Sequence, residues 1–288
     1  MAANIDLTFW LTAWNLAPSL ILGTILVVGL YFYILGPYHK RYYPDIPIRR
    51  GQTVAFLCGV LIILLALISP IDELGDDYLF SAHMVQHLCL TTFGPPLLLV
   101  GISGWMLERL LNWKLLFRVL KGLTWAPVAF FLYNADFFLW HAPALYDATL
   151  RSEAIHIFEH LTFIGFGILS WWPILSPSPR LPRLSLGGQI LYIFLNGMPA
   201  VLLGAGLTFA SPLYAPYLAA PLVWGISHAV DQQLGGLIMW VPVNLFYICI
   251  MSGLFIRWMQ RQEAQQIAAE QRGEEVENDA GLVNSHAD

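Results

Sequence analysis

Charge is what this 288-residue chain has least of: 11% of its residues are Asp, Glu, Lys or Arg, against 57% hydrophobic. Soluble domains carry about 25% charged residues. That shortfall, with a mean hydropathy of +0.62, excludes an ordinary soluble domain and predicts an integral membrane protein. Cysteine is scarce as well. Cys58, Cys89 and Cys249 stand singly inside apolar runs, with no Cys-x-x-Cys or Cys-x-x-x-Cys. A disulfide framework and thiol-based metal transfer are therefore not expected. Isolated cysteines in apolar helices act as small hydrophobes. Lysine is limited to Lys40, Lys114 and Lys121, all in or beside the loops between apolar runs. That leaves no intramembrane lysine for a Schiff base and excludes a retinal-binding protein. No His-Glu-x-x-His occurs, so the usual zinc-protease arrangement is excluded too. No basic residue precedes the first apolar run, and that run is long enough to span, so no signal peptide is expected. The net charge of −5 says little about partners, because much of the acid sits in the C-terminal tail, and nothing points to nucleic acid.

What is present is a series of apolar runs, each near the ~20 residues that cross a bilayer. They fall at 16–36, 52–70, 79–101, 123–141, 154–175, 187–209 and 234–256. The fold class expected is all-α: a polytopic bundle of seven transmembrane helices over residues 1–258. Trp10 and Trp14 in the short head suit a membrane interface. Residues 259–288 read as an acidic tail, a helical extension that frays into disorder. Gly94-Pro95-Pro96, Met198-Pro199 and Val241-Pro242 should kink or break their helices. Thirteen of the 14 Lys and Arg residues fall in alternate loops or after the last run, and Arg151 alone falls on the other side. The positive-inside rule then places the N-terminus outside and the C-terminus in the cytoplasm.

On that topology the histidines gather. His83 and His87 open the third span, and His156 and His160 open the fifth. A spacing of four puts each pair on one helix face, about 5–6 Å apart at Cβ, which suits two ligands on one ion. His141 closes the fourth span, and His228 lies just before the seventh, three residues ahead of Asp231. Six of eight histidines thus converge on the outer face, leaving His39 and His286 as incidental. A single interfacial histidine is ordinarily a hydrogen-bonding residue. Six on one face are a different observation, because ionisable groups at membrane depth are costly and mark functional sites. The same face carries Asp72, Glu73, Asp76, Asp77, Asp136, Asp147, Glu153, Glu159 and Asp231. Some of these should orient imidazoles and others should simply attract cations.

The candidate metal ligands are therefore His83, His87, His156 and His160, then His228 and Asp231, then His141. His141 is the weakest, since Trp140-His141-Ala142-Pro143 also reads as a helix-end packing device. Glu159 is expected to support an imidazole. Met84 could offer a thioether, although core packing is the commoner role of such a residue. Asn134, Asp136 and Asn196 could line a path or tie helices together. The loop from Ser211 to Gln233, with Pro212, Pro216, Pro221 and Gly225 among its aromatics, reads as an ordered lid. Imidazoles suit copper, zinc, iron and nickel alike. An imidazole-rich site with methionine nearby fits copper best. Haem is the alternative, although it would want one histidine from each of two facing helices. A metal-free scaffold is the third reading. No catalytic role is expected.

Several stretches carry a resemblance. They are Ala82-His83-Met84-Val85-Gln86-His87 followed by Gly94-Pro95-Pro96-Leu97-Leu98-Leu99; Trp140-His141-Ala142-Pro143-Ala144-Leu145-Tyr146-Asp147-Ala148; His156-Ile157-Phe158-Glu159-His160-Leu161 leading to Trp171-Trp172-Pro173; and Asp231-Gln232-Gln233-Leu234-Gly235-Gly236 with Met239-Trp240. In order and spacing they resemble the CtaG family of multi-span cytochrome c oxidase assembly factors of bacterial plasma membranes. They cover most of residues 80–242, while the first two spans match only as generic membrane helices. The resemblance implies a part in maturing a haem–copper oxidase, with oxidase subunits, a periplasmic copper donor and the lipid bilayer as partners. It implies a metal role for the histidines and Asp231 that fall on its motifs.

Overall fold

The computed structural model describes residues 5–285. The chain is all-α, with 81% of it in helices. Helix α1 (Leu7–Thr12) is capped by Asp6, whose carboxylate accepts from the Thr8 and Phe9 amides. Helix α2 (Pro18–Tyr42) and α3 (Arg50–Ile68) are long and apolar. Pro18 sits at the first turn of α2, where its missing N–H would have had no helical partner. The short α4 (Pro70–Asp77) leads into α5 (Phe80–Gly101). Then come α6 (Gly104–Leu111), α7 (Lys114–Leu123), α8 (Ala126–Trp140) and α9 (Pro143–Thr149). The order closes with α10 (Glu153–Leu175), α11 (Leu186–Phe209), α12 (Ala215–Ala219) and α13 (His228–Ser285).

Six of these helices are long and apolar enough to cross a membrane, and a seventh crossing exists only if α7 and α8 count as one span bent by 69°. Five of the expected spans are matched by α2, α3, α5, α10 and α11 to within a few residues, and the last expected run lies inside α13. The fourth differs. Helix α8 has 15 residues, which at about 1.5 Å per residue reaches roughly 22 Å, short of a ~30 Å hydrocarbon layer. Pro127 and Trp125 mark the physical reason. The helix restarts at Ala126 after a turn, so the apolar run is longer than its regular helix.

Proline acts unevenly. In α5 a π-turn over Cys89–Phe93 precedes Pro95 and Pro96, whereas α11 and α13 run on through Pro199 and Pro242. Helix α5 is the most enclosed of the spanning helices, and α2 the least. The most extensive pairing is α11 with α13. It depends on small residues. A Cβ on Gly236 would stand 2.6 Å from the Thr208 amide nitrogen and 2.7 Å from the Gly204 carbonyl oxygen. Only glycine lets the two backbones come that close, as in other membrane helix pairs.

One core cluster, at the histidine end, joins Phe80, Met84, Phe163, Tyr146, Tyr214 and Met239. A second joins Leu99, Trp171, Trp172, Ile193 and Val243. The loop before α13 is tied down over the first cluster. Tyr214 donates to the His141 carbonyl at 3.0 Å and Tyr217 to the Gly75 carbonyl at 2.7 Å. Burial raises both phenols well above their usual range. Gly225, at φ 73°, makes the turn that follows them. His39 also has a packing task, with Nε2 at 2.7 Å from the Ile46 carbonyl and its ring against Trp105. His286 lies outside the described residues.

Candidate metal centre

Helices α5 and α10 each deliver a histidine pair one turn after their start. The spacing of four stacks His83 over His87 and His156 over His160, with ring centroids 4.2 and 4.1 Å apart. The two helices face each other, so His83 and His156 lie 5.3 Å apart and His87 and His160 5.8 Å apart. Ligand atoms of His83, His156, Glu159 and His160 all lie within 4.8 Å of one another. Two donors on opposite sides of an ion would stand about 4.1 Å apart, at twice a ~2.0–2.1 Å metal–nitrogen bond. The widest pair therefore has to close by roughly 0.7 Å for opposite donors, and by more for a tetrahedral set.

The chemistry of the donors fits an ion. His83 is fully buried, and Glu159 likewise; His160 is 8% exposed. Nε2 of His83, His156 and His160 and both carboxylate oxygens of Glu159 have no hydrogen-bond partner. Buried polar atoms are nearly always satisfied, and leaving one unpaired costs about 1–3 kcal/mol. Five such atoms on four neighbouring side chains are a strong departure from that rule. Glu159 offers an oxygen to this group and also lies 3.7 Å from His87 Nε2.

The supporting carboxylate is Asp76. Its Oδ1 is 3.2 Å from His83 Nδ1 and its Oδ2 3.4 Å from His156 Nδ1. The first approach is close but not aligned as a hydrogen bond. One carboxylate thus faces the Nδ1 of both rings, and both Nε2 atoms are left without a partner in the protein. This is the arrangement by which a carboxylate sets the tautomer of a metal-bound histidine. Gly75 makes it possible. A Cβ there would stand 2.9 Å from the His83 amide nitrogen and 3.0 Å from its Cα. Asp72 anchors the same helix. Gln86 donates to it at 2.5 Å and Asn15 at 2.8 Å. Burial pushes the Asp72 carboxyl up to about 7, aided by Asp76 and opposed by the Asn15 and Gln86 hydrogen bonds. Burial likewise pushes Asp76 up to about 6, with His156 pulling it down and Asp77 pushing it up.

The other expected residues are placed differently. His87 packs on His83, with Nε2 at 3.7 Å from Glu159 Oε1, outside the four-residue group. His141 holds the Phe137 carbonyl with Nδ1 at 2.7 Å, 5.8 Å from His87 ring to ring. Met84 is buried in the core cluster. His228 and Asp231 border a separate small cavity with Phe80 and Tyr214. Asp231 is engaged as a cap. It accepts from the Phe80 amide at 2.8 Å, the Ser81 amide at 3.1 Å and the Ser81 hydroxyl at 2.5 Å. Those amides open α5 and would otherwise lack partners. Asp136 accepts from Trp140 Nε1 at 2.9 Å. Asn134 and Asn196 bond to each other at 3.1 Å, and Asn196 reaches Ser170 and Tyr247.

Asp72, Glu73, Asp76, Asp77 and Glu153 line an open cleft with His156. A neighbouring cleft continues from Asp76 and His156 to His160. The centre thus has an acidic approach.

The chain is 28% identical over 239 residues to an uncharacterised protein of Mycobacterium bovis and equally to one of Mycobacterium tuberculosis, covering 77% of this chain and 36% of each relative. It is 27% identical over 277 residues to an uncharacterised protein of Mycobacterium leprae, covering 87% of this chain and 40% of the relative. The chain therefore spans well under half the length of these relatives. No solved structure matches it. The family model described as cytochrome c oxidase caa3 assembly factor (Caa3_CtaG) matches residues 29–261, which carry every histidine of the site. The chain belongs to that family of cytochrome c oxidase assembly factors.

Proposed function

We propose that the protein binds copper through His83, His156, Glu159 and His160 and aids its insertion into cytochrome c oxidase. The observation that carries this is the approach of one ligand atom from each of these four side chains to within 4.8 Å of one another, together with the lack of a protein partner for their Nε2 and carboxylate atoms. The family supplies the oxidase, and imidazole donors suit copper. The ion is cargo in this reading, so the site must exchange it. The acidic cleft that reaches His156 supports entry and exit from the surface. We place the site on the outer face of the bacterial plasma membrane, with the bent α7–α8 pair as the fourth of seven crossings. The thirteen cationic side chains in the alternate loops and after the last run support that orientation. A periplasmic copper donor and the oxidase subunit that receives the ion are the partners this implies.

Haem fits less well. The four imidazoles of α5 and α10 lie 4.1–6.3 Å apart, ring to ring, and fill the space that a porphyrin between the helices would need. Detergent-purified protein, loaded separately with Cu(I), Cu(II), Zn(II) and haem, tests this. Copper retained through gel filtration, with no Soret band, is the expected result. Retention of haem alone, or of nothing, would overturn the copper reading.

Asp76→Asn is expected to weaken copper binding by about 10–100-fold without changing its stoichiometry, the usual cost of losing a carboxylate behind a ligating histidine. Gly75→Ala should do the same by forcing α4 away from His83. Equilibrium competition with a copper chelator measures both. Parent-like affinity in both would show that Asp76 does not orient the site.

A further inference from the structure

Two histidines remain outside the four-residue group, and both are more than nine-tenths buried: His87 is 3% exposed and His141 4%. His141 is prepared as a ligand. A nitrogen that meets a carbonyl must donate, so the 2.7 Å contact to Phe137 fixes the proton on Nδ1 and leaves the lone pair on Nε2. That Nε2 has no partner, and neither ring nitrogen of His87 has one. Both rings border a narrow interior cavity with Met84 and Met239. The cavity has room for about one water-sized particle. The π-turn of α5 begins two residues after His87, at Cys89, and such turns recur at functional sites.

Water would find partners in the imidazoles and in Thr91, Asn134 and Asn196, which also line the cavity, but would gain little from two thioethers. A soft cation would use both kinds of donor, since methionine sulfur favours Cu(I). We infer that His87, His141, Met84 and Met239 form a second position, for a soft monovalent cation such as Cu(I), one helical turn deeper along α5. This rests on the copper reading of the first group, which sits next to it: the His87 ring is 4.2 Å from that of His83. The two positions differ in donor type. The outer one combines imidazoles with a carboxylate and the inner one imidazoles with thioethers.

Anaerobic titration of the full chain with Cu(I), read by metal content after gel filtration and by X-ray absorption, separates them. The parent should hold two Cu(I) ions per chain and show a copper–sulfur shell. Met84→Leu/Met239→Leu conserves volume, which cores tolerate well. It should hold one ion and lose the sulfur shell. His141→Ala should lose the same ion. The His83→Ala/His160→Ala variant should keep the sulfur shell while losing the other ion. A parent that holds one ion, lost in His83→Ala/His160→Ala and unaffected in the methionine variant, would overturn the second position and leave the proposed function standing. A parent that holds no copper would overturn both.

Discussion

His83→Ala/His160→Ala is expected to weaken copper binding at the His83–His156–Glu159–His160 position about 10³–10⁴-fold. Four-ligand structural zinc sites bind their ion with roughly 10–16 kcal/mol, which sets the scale for a four-donor site. Removing two of four donors should forfeit at least about 5 kcal/mol, and each ~1.4 kcal/mol is a factor of ten. The two residues come from different helices, so neither helix alone can rebuild the site. What remains is His156 and Glu159, three residues apart on α10, with His87 nearby. The metal-free variant should fold. Truncation leaves a small void, but it also removes imidazoles whose Nε2 atoms have no partner. Those two effects, each of order 1–3 kcal/mol, oppose each other. A chelator competition curve within tenfold of the parent would show that the α5–α10 cluster is not where copper binds. Its consequence for function is read in cells. Oxidase matured beside the variant should contain less copper than oxidase matured beside the parent.

How much of this was open to the sequence follows from the range of each interaction. The histidine pairs were legible because a four-residue spacing fixes their common face by helix geometry alone. The cationic loops predicted that both pairs lie at one end of the bundle; that α5 and α10 face each other is a tertiary contact that spacing does not encode. Most spans were legible as apolar runs. The fourth was not, because hydropathy continues through the turn before Ala126 where the regular helix does not. Asp76 could be placed on the right face but not singled out among its neighbours. Its role depends on the approach of α4 to α5 at Gly75, a tertiary contact that no local spacing encodes. The Ser211–Gln233 loop was legible as ordered from its prolines and aromatics, but its anchors on the Gly75 and His141 carbonyls were not. The phenols Tyr214 and Tyr217 reach those carbonyls across 73 and 142 residues of sequence.

Asp231 shows the same limit and leads to the second large effect. Beside His228 in sequence, its carboxylate reads as a ligand. In the fold it reaches 151 residues back along the chain to the first amide of α5. Asp231→Ala is expected to destabilise the protein by about 3–4 kcal/mol. The carboxylate is 3% exposed and accepts three hydrogen bonds, and removing it strands two amides and a hydroxyl in a buried site. Hydrogen bonds to a charged group are worth about 1.5–3 kcal/mol each, but not additively. The negative charge also complements the N-terminal end of the α5 dipole. Asp231→Asn keeps one acceptor oxygen and should cost about half as much. Copper affinity at temperatures where the variant is folded should stay within threefold of the parent, because Asp231 is not among the four ligand atoms. His228→Ala should leave both affinity and stability unchanged. Thermal unfolding in detergent, paired with a copper titration of the same samples, separates a cap from a ligand. A variant of normal stability with copper binding reduced tenfold or more would make Asp231 a ligand and refute its role as the cap of α5.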